Sequence, residues 1–226
     1  MSSRTFVVGD MHGGYKALLQ CLERSNFDRE NDTLISLGDI ADGWPDVAEC
    51  FDELLSLKNF IMVRGNHDQW LKDWMKTGKT PDIWTKQGGQ NTLASYEKAG
   101  NTTKNRHKGF LKQTPFYYVD AKNRLFVHGG YIDGVPIETQ DKMELMWSRR
   151  FKEQPQLCNE VKDYAEVFIG HTTIWRISQM PIKVGRVVFM DTGGGWEGKL
   201  SMMDIDSRTV YQSDLVSELY PYVKPR

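Results

Sequence analysis

The first third of the chain alternates short apolar runs with stretches of helical spacing. The apolar runs occupy residues 6–8, 34–37 and 60–63, and each stops at or just before a glycine. Between the first two runs, apolar side chains recur on one helical face at Tyr15, Leu18, Leu19 and Leu22. Strands that alternate with helices favour right-handed crossovers and mainly parallel pairing. The pattern therefore predicts a sheet whose first strands all end at the same edge.

The remainder of the chain predicts a helix and a second set of strands. Residues 88–112 are polar and basic at helical spacing, which is typical of a solvated helix face. Strands are predicted at 116–119, 124–127, 166–169, 186–190, 199–204 and 209–212. Their spacing and turn residues favour more antiparallel pairing in the second half. The sequence thus predicts a mixed α/β sandwich, and a length of 226 residues suits a single domain over 1–226.

Composition excludes several other classes of protein. The formal net charge is -1, so no overall field attracts nucleic acid. The three cysteines are far apart and form no CxxC pair, which argues against a disulfide framework and a thiolate metal site. No segment approaches the roughly 20 apolar residues of a membrane span. We expect a soluble cytoplasmic protein without membrane or specific nucleic-acid binding, and the oligomeric state is left open.

Polar side chains with metal-binding chemistry follow the predicted strands. These residues are Asp10, His12, Asp39, Asp42, Asn66, His67, His128 and His171. Four of the five histidines lie directly after a predicted strand, which is hard to explain as ordinary turn chemistry. Ligands of open α/β sheets sit outside the carboxyl ends of the strands. Nitrogen and oxygen donors without sulfur suit Mn²⁺, Fe or Zn²⁺.

The combination of these motifs resembles one enzyme family. The segments GDMHG (9–13), GDIAD (38–42) and GNHD (65–68) occur in this order, followed by His128 and Gly170-His171. Together they resemble the calcineurin-like metallophosphoesterases, and within them the phosphoprotein phosphatases that include small phage and bacterial enzymes of the lambda phosphatase type. The resemblance covers residues 6–204. It implies a four-layer α-β-β-α sandwich with two mixed sheets, and two divalent metal ions, with Mn²⁺ expected and Fe or Zn²⁺ as alternatives.

The resemblance also implies a role for each motif residue. The implied metal ligands are Asp10 and His12 for the first ion, Asp39 as the bridge, and Asn66, His128 and His171 for the second ion. His67 would be the general acid and Asp42 its partner. Asp68 is the alternative partner, but it is expected instead to serve as an acid at a helix N-terminus. Arg64 and the arginine of Trp147-Ser148-Arg149 would bind phosphate, with Arg150 as the alternative to Arg149. A hydroxide bridging the ions would attack phosphorus in line.

One position departs from the family pattern. The protein phosphatases usually have GDxxDRG in the second motif, and here Gly43 replaces the arginine. One phosphate contact is therefore missing, which weakens the assignment to phosphoserine and phosphothreonine more than the assignment to phosphoester hydrolysis. The neighbouring Trp44 is expected to pack inside the protein, with an aromatic wall of the site as the alternative.

Three hypotheses for the function follow. The leading one is a binuclear phosphatase for phosphomonoesters, either phosphoproteins or small phosphoesters, with serine/threonine phosphoproteins as the expected class. The second keeps the chemistry and changes the substrate to symmetrical dinucleoside tetraphosphates or nucleic-acid ends. The third is a non-catalytic scaffold, which the complete set of predicted ligands argues against.

Overall fold

The computed structural model describes residues 3–223. Its strands are β1 (Thr5–Val8), β2 (Thr33–Ser36), β3 (Asn59–Met62), β4 (Tyr117–Val119), β5 (Arg124–Val127), β6 (Glu166–Ile169), β7 (Ile182–Val184), β8 (Val187–Phe189), β9 (Ser201–Asp204) and β10 (Val210–Gln212). Its helices are α1 (Tyr15–Arg24), α2 (Val47–Leu55), α3 (Asn66–Thr77), α4 (Asp82–Trp84), α5 (Gln90–Gln113), α6 (Lys142–Trp147), α7 (Arg150–Glu153), α8 (Leu157–Glu160) and α9 (Val216–Leu219). A π-helical turn, Thr85–Gly89, joins α4 to α5, and a 3₁₀ turn covers Ile137–Thr139.

The strands form two mixed sheets, as the resemblance implied. The first sheet has the order β10-β9-β1-β2-β3, in which β1, β2 and β3 are parallel and β9 runs antiparallel to β1. The second sheet has the order β4-β5-β6-β8-β7, with β5, β6 and β8 parallel in its centre. Each antiparallel pair of the described chain includes a strand of the second half, namely β4·β5, β7·β8, β9·β10 and β1·β9. The prediction of a more antiparallel second half is confirmed, although the middle of its sheet is parallel.

Alternation along the strands produces the layers. In β1, Phe6 and Val8 join the apolar cluster under α1, α2 and α5, while Val7 joins a cluster between the two sheets. In β5, Phe126 faces the same inter-sheet cluster, where it stacks on a phenylalanine of β6. Leu125 of β5 joins a third cluster with residues of α7 and α8. Because successive side chains of a strand point to opposite faces, each sheet is covered by helices on one face and by the other sheet on the other.

Two elements differ from the sequence prediction. Strand β7 was missed, because it is a three-residue edge strand that follows Pro181 and has no buried residue. Helix α5 was predicted, but Gly100 breaks it with a φ of 82°.

Helix α5 has one buried face and one solvated face. The face toward α2 buries Tyr96 and His107, and Nδ1 of the His107 ring lies 2.9 Å from the Tyr96 hydroxyl. The basic residue Lys98 on the same helix is exposed and pairs with an acid of α2, as expected for a solvated face.

Two further findings bear on the predicted class of protein. Cys21, Cys50 and Cys158 are buried as free thiols, which supports their expected place in core packing. Within residues 3–223, no helix combines the length and the apolar character that crossing a bilayer requires.

The carboxyl ends of β1, β2 and β3 lie side by side, and those of β5 and β6 do the same in the second sheet.

Candidate active site

The predicted site residues meet where the two sheets present their carboxyl ends. Asp10 is two residues beyond β1, and its carboxylate accepts a bond from the backbone N–H of His171, two residues beyond β6, at 3.0 Å. His128 follows β5, and its Nε2 lies 3.3 Å from Asp39 Oδ2 in the loop after β2. The backbone N–H of His67 donates to Asp39 Oδ1 at 2.9 Å. Strand ends from both sheets therefore contribute to one cluster.

The backbone around this cluster is unusual. Within residues 3–223, seven residues other than glycine have a positive φ, and four of them are predicted site residues: His12 (46°), Asp39 (50°), Asp42 (68°) and His171 (55°). A left-handed conformation at an L-residue costs energy and persists only where the surroundings enforce it. Such outliers concentrate at functional sites, so the backbone gives independent support to this location.

Backbone carbonyls orient two of the histidines. The Nδ1 atom of His12 lies 2.9 Å from the carbonyl oxygen of Ala41, and Nδ1 of His128 lies 2.7 Å from that of Leu37. A carbonyl can only accept, so each Nδ1 donates its proton there, and Nε2 is the ring nitrogen that each histidine presents to the site. Metal-binding histidines are usually held by such a bond from the other ring nitrogen. The arrangement prepares both Nε2 atoms for a metal ion.

The spacing of the donor atoms fits two ions that share Asp39. Asp39 Oδ2 lies 3.6 Å from His12 Nε2 and 3.3 Å from His128 Nε2. His128 Nε2 is 3.0 Å from Asn66 Oδ1, and His12 Nε2 is 4.0 Å from Asp10 Oδ2. Two ligands bound about 2.1 Å from one ion lie roughly 3.0–3.4 Å apart in octahedral or tetrahedral geometry. Most of the observed separations are close to this range.

Two sets of side chains gather metal-binding atoms within 4.8 Å of one another. They are His12, Asp39 and His67, and Asp39, His128 and His171. The resemblance implied that Asp39 bridges two ions, and Asp39 belongs to both sets. Distances also place His67 in the first set, although the resemblance implied that it is a general acid and not a ligand.

Burial and charge at the second set favour a bound cation. Nε2 of His171 is buried and has no hydrogen-bond partner among residues 3–223. Burial, with the charge of His128 adding to it, lowers the pKa of His171 to about 3, so this imidazole stays neutral and its lone pair is available. Burial alone would lower the pKa of His128, but Asp39 and Asp10 raise it to about 9. Burial would raise the pKa of Asp39, yet the surrounding histidines hold it well below its usual range. The carboxylates thus attract positive charge, and the residues present fit a divalent metal centre.

His67 and Asp42 form a buried pair beside the metal-binding groups. Nδ1 of His67 lies 2.7 Å from Oδ2 of Asp42, whose side chain is fully buried. The His67 ring also meets the rings of His12 and Trp70 edge-on, each with centroids 4.9 Å apart. Sequence reasoning predicted this pair but missed Trp84, whose indole N–H also reaches Asp42. Trp84 stands 42 positions away in the chain, and no local motif marks it.

Asp68 does more than occupy a helix N-terminus. Its carboxylate accepts bonds from the backbone N–H groups of Gly65, Asp39, Ile40 and Ala41, at 3.0, 2.7, 3.0 and 3.1 Å. Burial and the nearby Asp39 charge nevertheless raise the pKa of Asp68 to about 6. The residue ties the loop after β2 to the start of α3, and it thereby sets the position of the predicted bridging ligand.

Arg64 has contacts that the sequence did not predict. Its side chain is buried, and Nη2 donates to the carbonyl oxygens of Leu111 and Thr114 at 2.6 Å each. Nη1 donates to Gln69 Oε1 at 3.0 Å, and the guanidinium lies 4.7 Å from the centre of the Phe116 ring. These bonds anchor the end of α5. The predicted contact of Arg64 with phosphate stays a prediction.

The two candidate arginines after α6 lie in different surroundings. Arg149 is exposed, and its charge acts on His171, whose pKa it helps to lower. Nη1 of Arg150 instead lies 3.4 Å from Glu144 Oε1. The turn after β5 packs against α6, because the N–H of Gly129 donates to the Leu145 carbonyl at 2.7 Å. This bond keeps the Arg149 segment beside the strand ends.

The departure at Gly43 has a conformational basis. Gly43 has a φ of 80°, and a Cβ atom at this position would lie 2.9 Å from His12 Cβ. The segment before α5 covers it closely, since the N–H of Gly43 donates to the Gly88 carbonyl at 3.3 Å. Trp44 is fully buried and donates its indole N–H to the Gly194 carbonyl at 2.7 Å. The expectation that Trp44 packs inside the protein is therefore confirmed.

Comparisons with known proteins agree on a family. A model of the calcineurin-like phosphoesterase family matches residues 3–201. Serine/threonine-protein phosphatase 1 of Salmonella typhimurium is 28% identical over 210 residues, which cover 88% of this chain and 91% of that protein. The symmetrical bis(5'-nucleosyl)-tetraphosphatase of Proteus mirabilis is 42% identical over 65 residues, which cover 28% of this chain and 24% of that protein. A solved metallophosphoesterase from Sphaerobacter thermophilus has a TM-score of 0.58 at 18% identity, covers 98% of this chain and 95% of that one, and shares the fold.

Proposed function

This chain belongs to the calcineurin-like phosphoesterase family and is a hydrolase of phosphoester bonds, and we propose that it is a two-metal phosphatase for phosphomonoesters, with phosphoserine and phosphothreonine proteins as its substrate class. The observation that carries the proposal is the carboxylate of Asp39, which lies in both groups of metal-binding side chains. The donors are nitrogen and oxygen atoms only, so we propose Mn²⁺, with Fe and Zn²⁺ as alternatives. The similarity to the Salmonella phosphatase along most of both chains supports the substrate class.

The residues divide the chemistry between them. Asp10, His12, Asp39, Asn66, His128 and His171 would hold the ions. When bound, two divalent ions polarise phosphate oxygens and lower the pKa of a coordinated water. Asp42 accepts from Nδ1 of His67 at 2.7 Å and so orients the imidazole, whose Nε2–H would donate to the leaving oxygen. A positioned general acid contributes about 10²–10⁴ in rate.

Arg149 would supply the positive charge that faces the substrate. Its side chain is exposed, and its charge already acts on His171. A guanidinium can donate two parallel bonds to phosphate oxygens. This contact compensates in part for the arginine that Gly43 replaces. Nη2 of Arg64 donates both of its bonds to the end of α5, and the Arg64 side chain is buried, so we assign Arg149 the larger part in phosphate binding.

A groove beside the site favours dinucleoside tetraphosphates as a second candidate substrate. It has a volume of about 550 Å³ and is lined in part by Trp175, Trp196, Arg176 and Lys152. Indole rings can stack on nucleobases, and the two cations can attract additional phosphates. The Lys152 ammonium donates to the carbonyl of Thr173 at 3.0 Å, which places this wall two residues from His171. Hydrolysis of diadenosine tetraphosphate, followed by chromatography of the nucleotides, tests this candidate; the absence of nucleotide products rejects it.

The main proposal is tested on protein stripped with EDTA. Turnover of p-nitrophenyl phosphate and of a phosphoserine peptide is measured without metal and after addition of Mn²⁺, Zn²⁺ or Mg²⁺. We expect turnover that requires metal, and a His67→Asn variant that binds the same amount of metal but loses about 10²-fold or more in rate on the peptide. Folded protein that is silent with every metal would contradict the proposal. A His67→Asn variant that loses metal would instead make His67 a ligand.

A further inference from the structure

The carboxylate of Asp42 receives more bonds than the pair with His67 requires. The indole N–H of Trp84 lies 2.8 Å from Oδ1 and 2.9 Å from Oδ2 of Asp42. The hydroxyl of Thr92 donates to Oδ1 at 2.6 Å and also accepts from the backbone N–H of Asp42 at 3.0 Å. Asp42, Trp84 and Thr92 are all fully buried. An ionised carboxylate without solvent is stable only when its oxygens are paired, and these two residues provide that pairing.

The chain between α3 and α5 is shaped to bring these donors to Asp42. Helix α4 ends at Trp84, and the π-helical turn that follows has a positive φ of 95° at Gly88. A Cβ atom at Gly88 would lie 2.3 Å from the backbone nitrogen of Gly43, and one at Gly89 would lie 2.7 Å from the Trp84 ring. Side chains at either glycine would push the segment off Asp42. The turn therefore depends on its two glycines to place Trp84 against the carboxylate.

We propose that Trp84 and Thr92 are positioning residues for proton donation by His67. The inference rests on the proposed acid role of His67. The two donors hold the plane of the Asp42 carboxylate so that Oδ2 stays 2.7 Å from His67 Nδ1. When they are removed, the carboxylate can rotate about its terminal torsion, which is a soft one. His67 then loses the orientation that proton donation to the leaving oxygen requires.

Substrates with different leaving groups separate this role from simple support of the fold. A poor leaving group such as the phenolate of phenyl phosphate needs a proton from the enzyme, whereas p-nitrophenolate leaves with little help. Loss of general acid catalysis therefore slows phenyl phosphate more than p-nitrophenyl phosphate. A general loss of stability lowers both rates by the same factor.

The experiment compares kcat for the two substrates in metal-loaded wild-type protein and in variants. Thr92→Val removes the hydroxyl at nearly constant shape, Thr92→Ser retains it, and Trp84→Phe removes the indole N–H. Trp44→Phe is the matched control, because Trp44 is also fully buried and also donates one indole bond, to Gly194. His67→Asn gives the full effect of losing the acid. Metal content and urea unfolding are measured for every protein.

We expect Thr92→Val and Trp84→Phe to slow the hydrolysis of phenyl phosphate by roughly 10- to 100-fold and that of p-nitrophenyl phosphate by much less. This is the usual range for loss of a residue that orients a functional side chain. Thr92→Ser should restore most of the rate, and Trp44→Phe should leave the ratio of the two rates unchanged. The inference is overturned if Thr92→Val slows the hydrolysis of both substrates equally, or if Thr92→Ser does not restore the rate. The acid role of His67 survives that result if His67→Asn still slows phenyl phosphate hydrolysis more than p-nitrophenyl phosphate hydrolysis. If His67→Asn also slows both equally, the acid role of His67 fails, and the inference fails with it.

Discussion

Replacement of Gly65 by alanine tests whether Asp39 must lie where the structure places it. A Cβ atom on Gly65 would lie 2.1 Å from Asp39 Oδ1 and 2.4 Å from the Asp39 backbone nitrogen. Ordinary carbon–oxygen contacts begin at about 3.3 Å, so the carboxylate or the loop must move by about 1.2 Å. Gly65 has a φ of -86°, which alanine adopts freely. The effect therefore comes from the contact alone and not from backbone strain.

The size of the effect follows from this displacement. Overpacking of a buried site costs about 1–3 kcal/mol of unfolding free energy. A shift of about 1 Å in a reacting group lowers the rate by roughly 10²-fold. We expect Gly65→Ala to lower kcat/KM for p-nitrophenyl phosphate by at least that factor, and to raise the Mn²⁺ concentration needed for half-maximal activity, because Asp39 is the shared ligand of the proposed centre.

The assay measures rate against added Mn²⁺, together with urea unfolding of the same samples. Gly109→Ala is the control, since a Cβ atom at Gly109 in α5 meets no atom within 4 Å. This control should gain about 0.5–1 kcal/mol in stability and keep wild-type activity. If Gly65→Ala retains kcat/KM within about threefold of the wild type at every Mn²⁺ concentration, the position of Asp39 is not critical and the reasoning is wrong.

Three other predictions follow from single side chains. Gly43→Arg should lower the free energy of unfolding in urea by about 1–3 kcal/mol and give no gain in activity. The reason is that position 43 has a positive φ and that an added Cβ would crowd His12. A faster and equally stable variant would contradict this prediction. Arg149→Ala should lower kcat/KM by roughly tenfold, whereas Arg150→Ala should stay near wild type, and equal losses would place both at the substrate. Burial opposes ionisation of Asp32, but the bonds from Arg4 lower the pKa of this carboxyl in the folded protein. Ionised Asp32 therefore stabilises the fold above about pH 4, and this stabilisation is lost as the pH falls through the lowered pKa of the folded state. Asp32→Asn should therefore be less stable by about 1–2 kcal/mol at pH 7 and lose less stability on acidification than the wild type, which urea titrations at pH 7 and below about pH 4 measure.

Short-range sequence patterns predicted much of the fold. The apolar runs at 6–8, 34–37 and 60–63 became adjacent parallel strands because a buried strand needs apolar residues on both faces. Strand β7 was not predicted, since an edge strand has weaker requirements on its side chains and this one has only three residues. The break of α5 at Gly100 was also missed, because a glycine in a helical pattern does not by itself reveal whether the helix continues.

The site residues also divide into those that the sequence revealed and those that only the structure revealed. The residues that follow strand ends, such as Asp10, Asp39 and His171, could be found from sequence because the carboxyl ends of parallel strands converge at one edge. Trp84 could not, since it lies at the end of the three-residue helix α4 and reaches Asp42 only through tertiary packing. The contacts of Arg64 were equally hidden, because they go to backbone carbonyls at the distant end of α5.

The sequence alone determined which chemical groups this protein has and which strand ends carry them, because residue type and local periodicity act over a few neighbouring positions. Only the tertiary structure decided how those groups are held. It shared Asp39 between two sets of ligands, turned the Nε2 atoms of His12 and His128 inward with backbone carbonyls, and surrounded Asp42 with donors. Such bonds join residues far apart in the chain, and their partners depend on how the two sheets and the helices pack together.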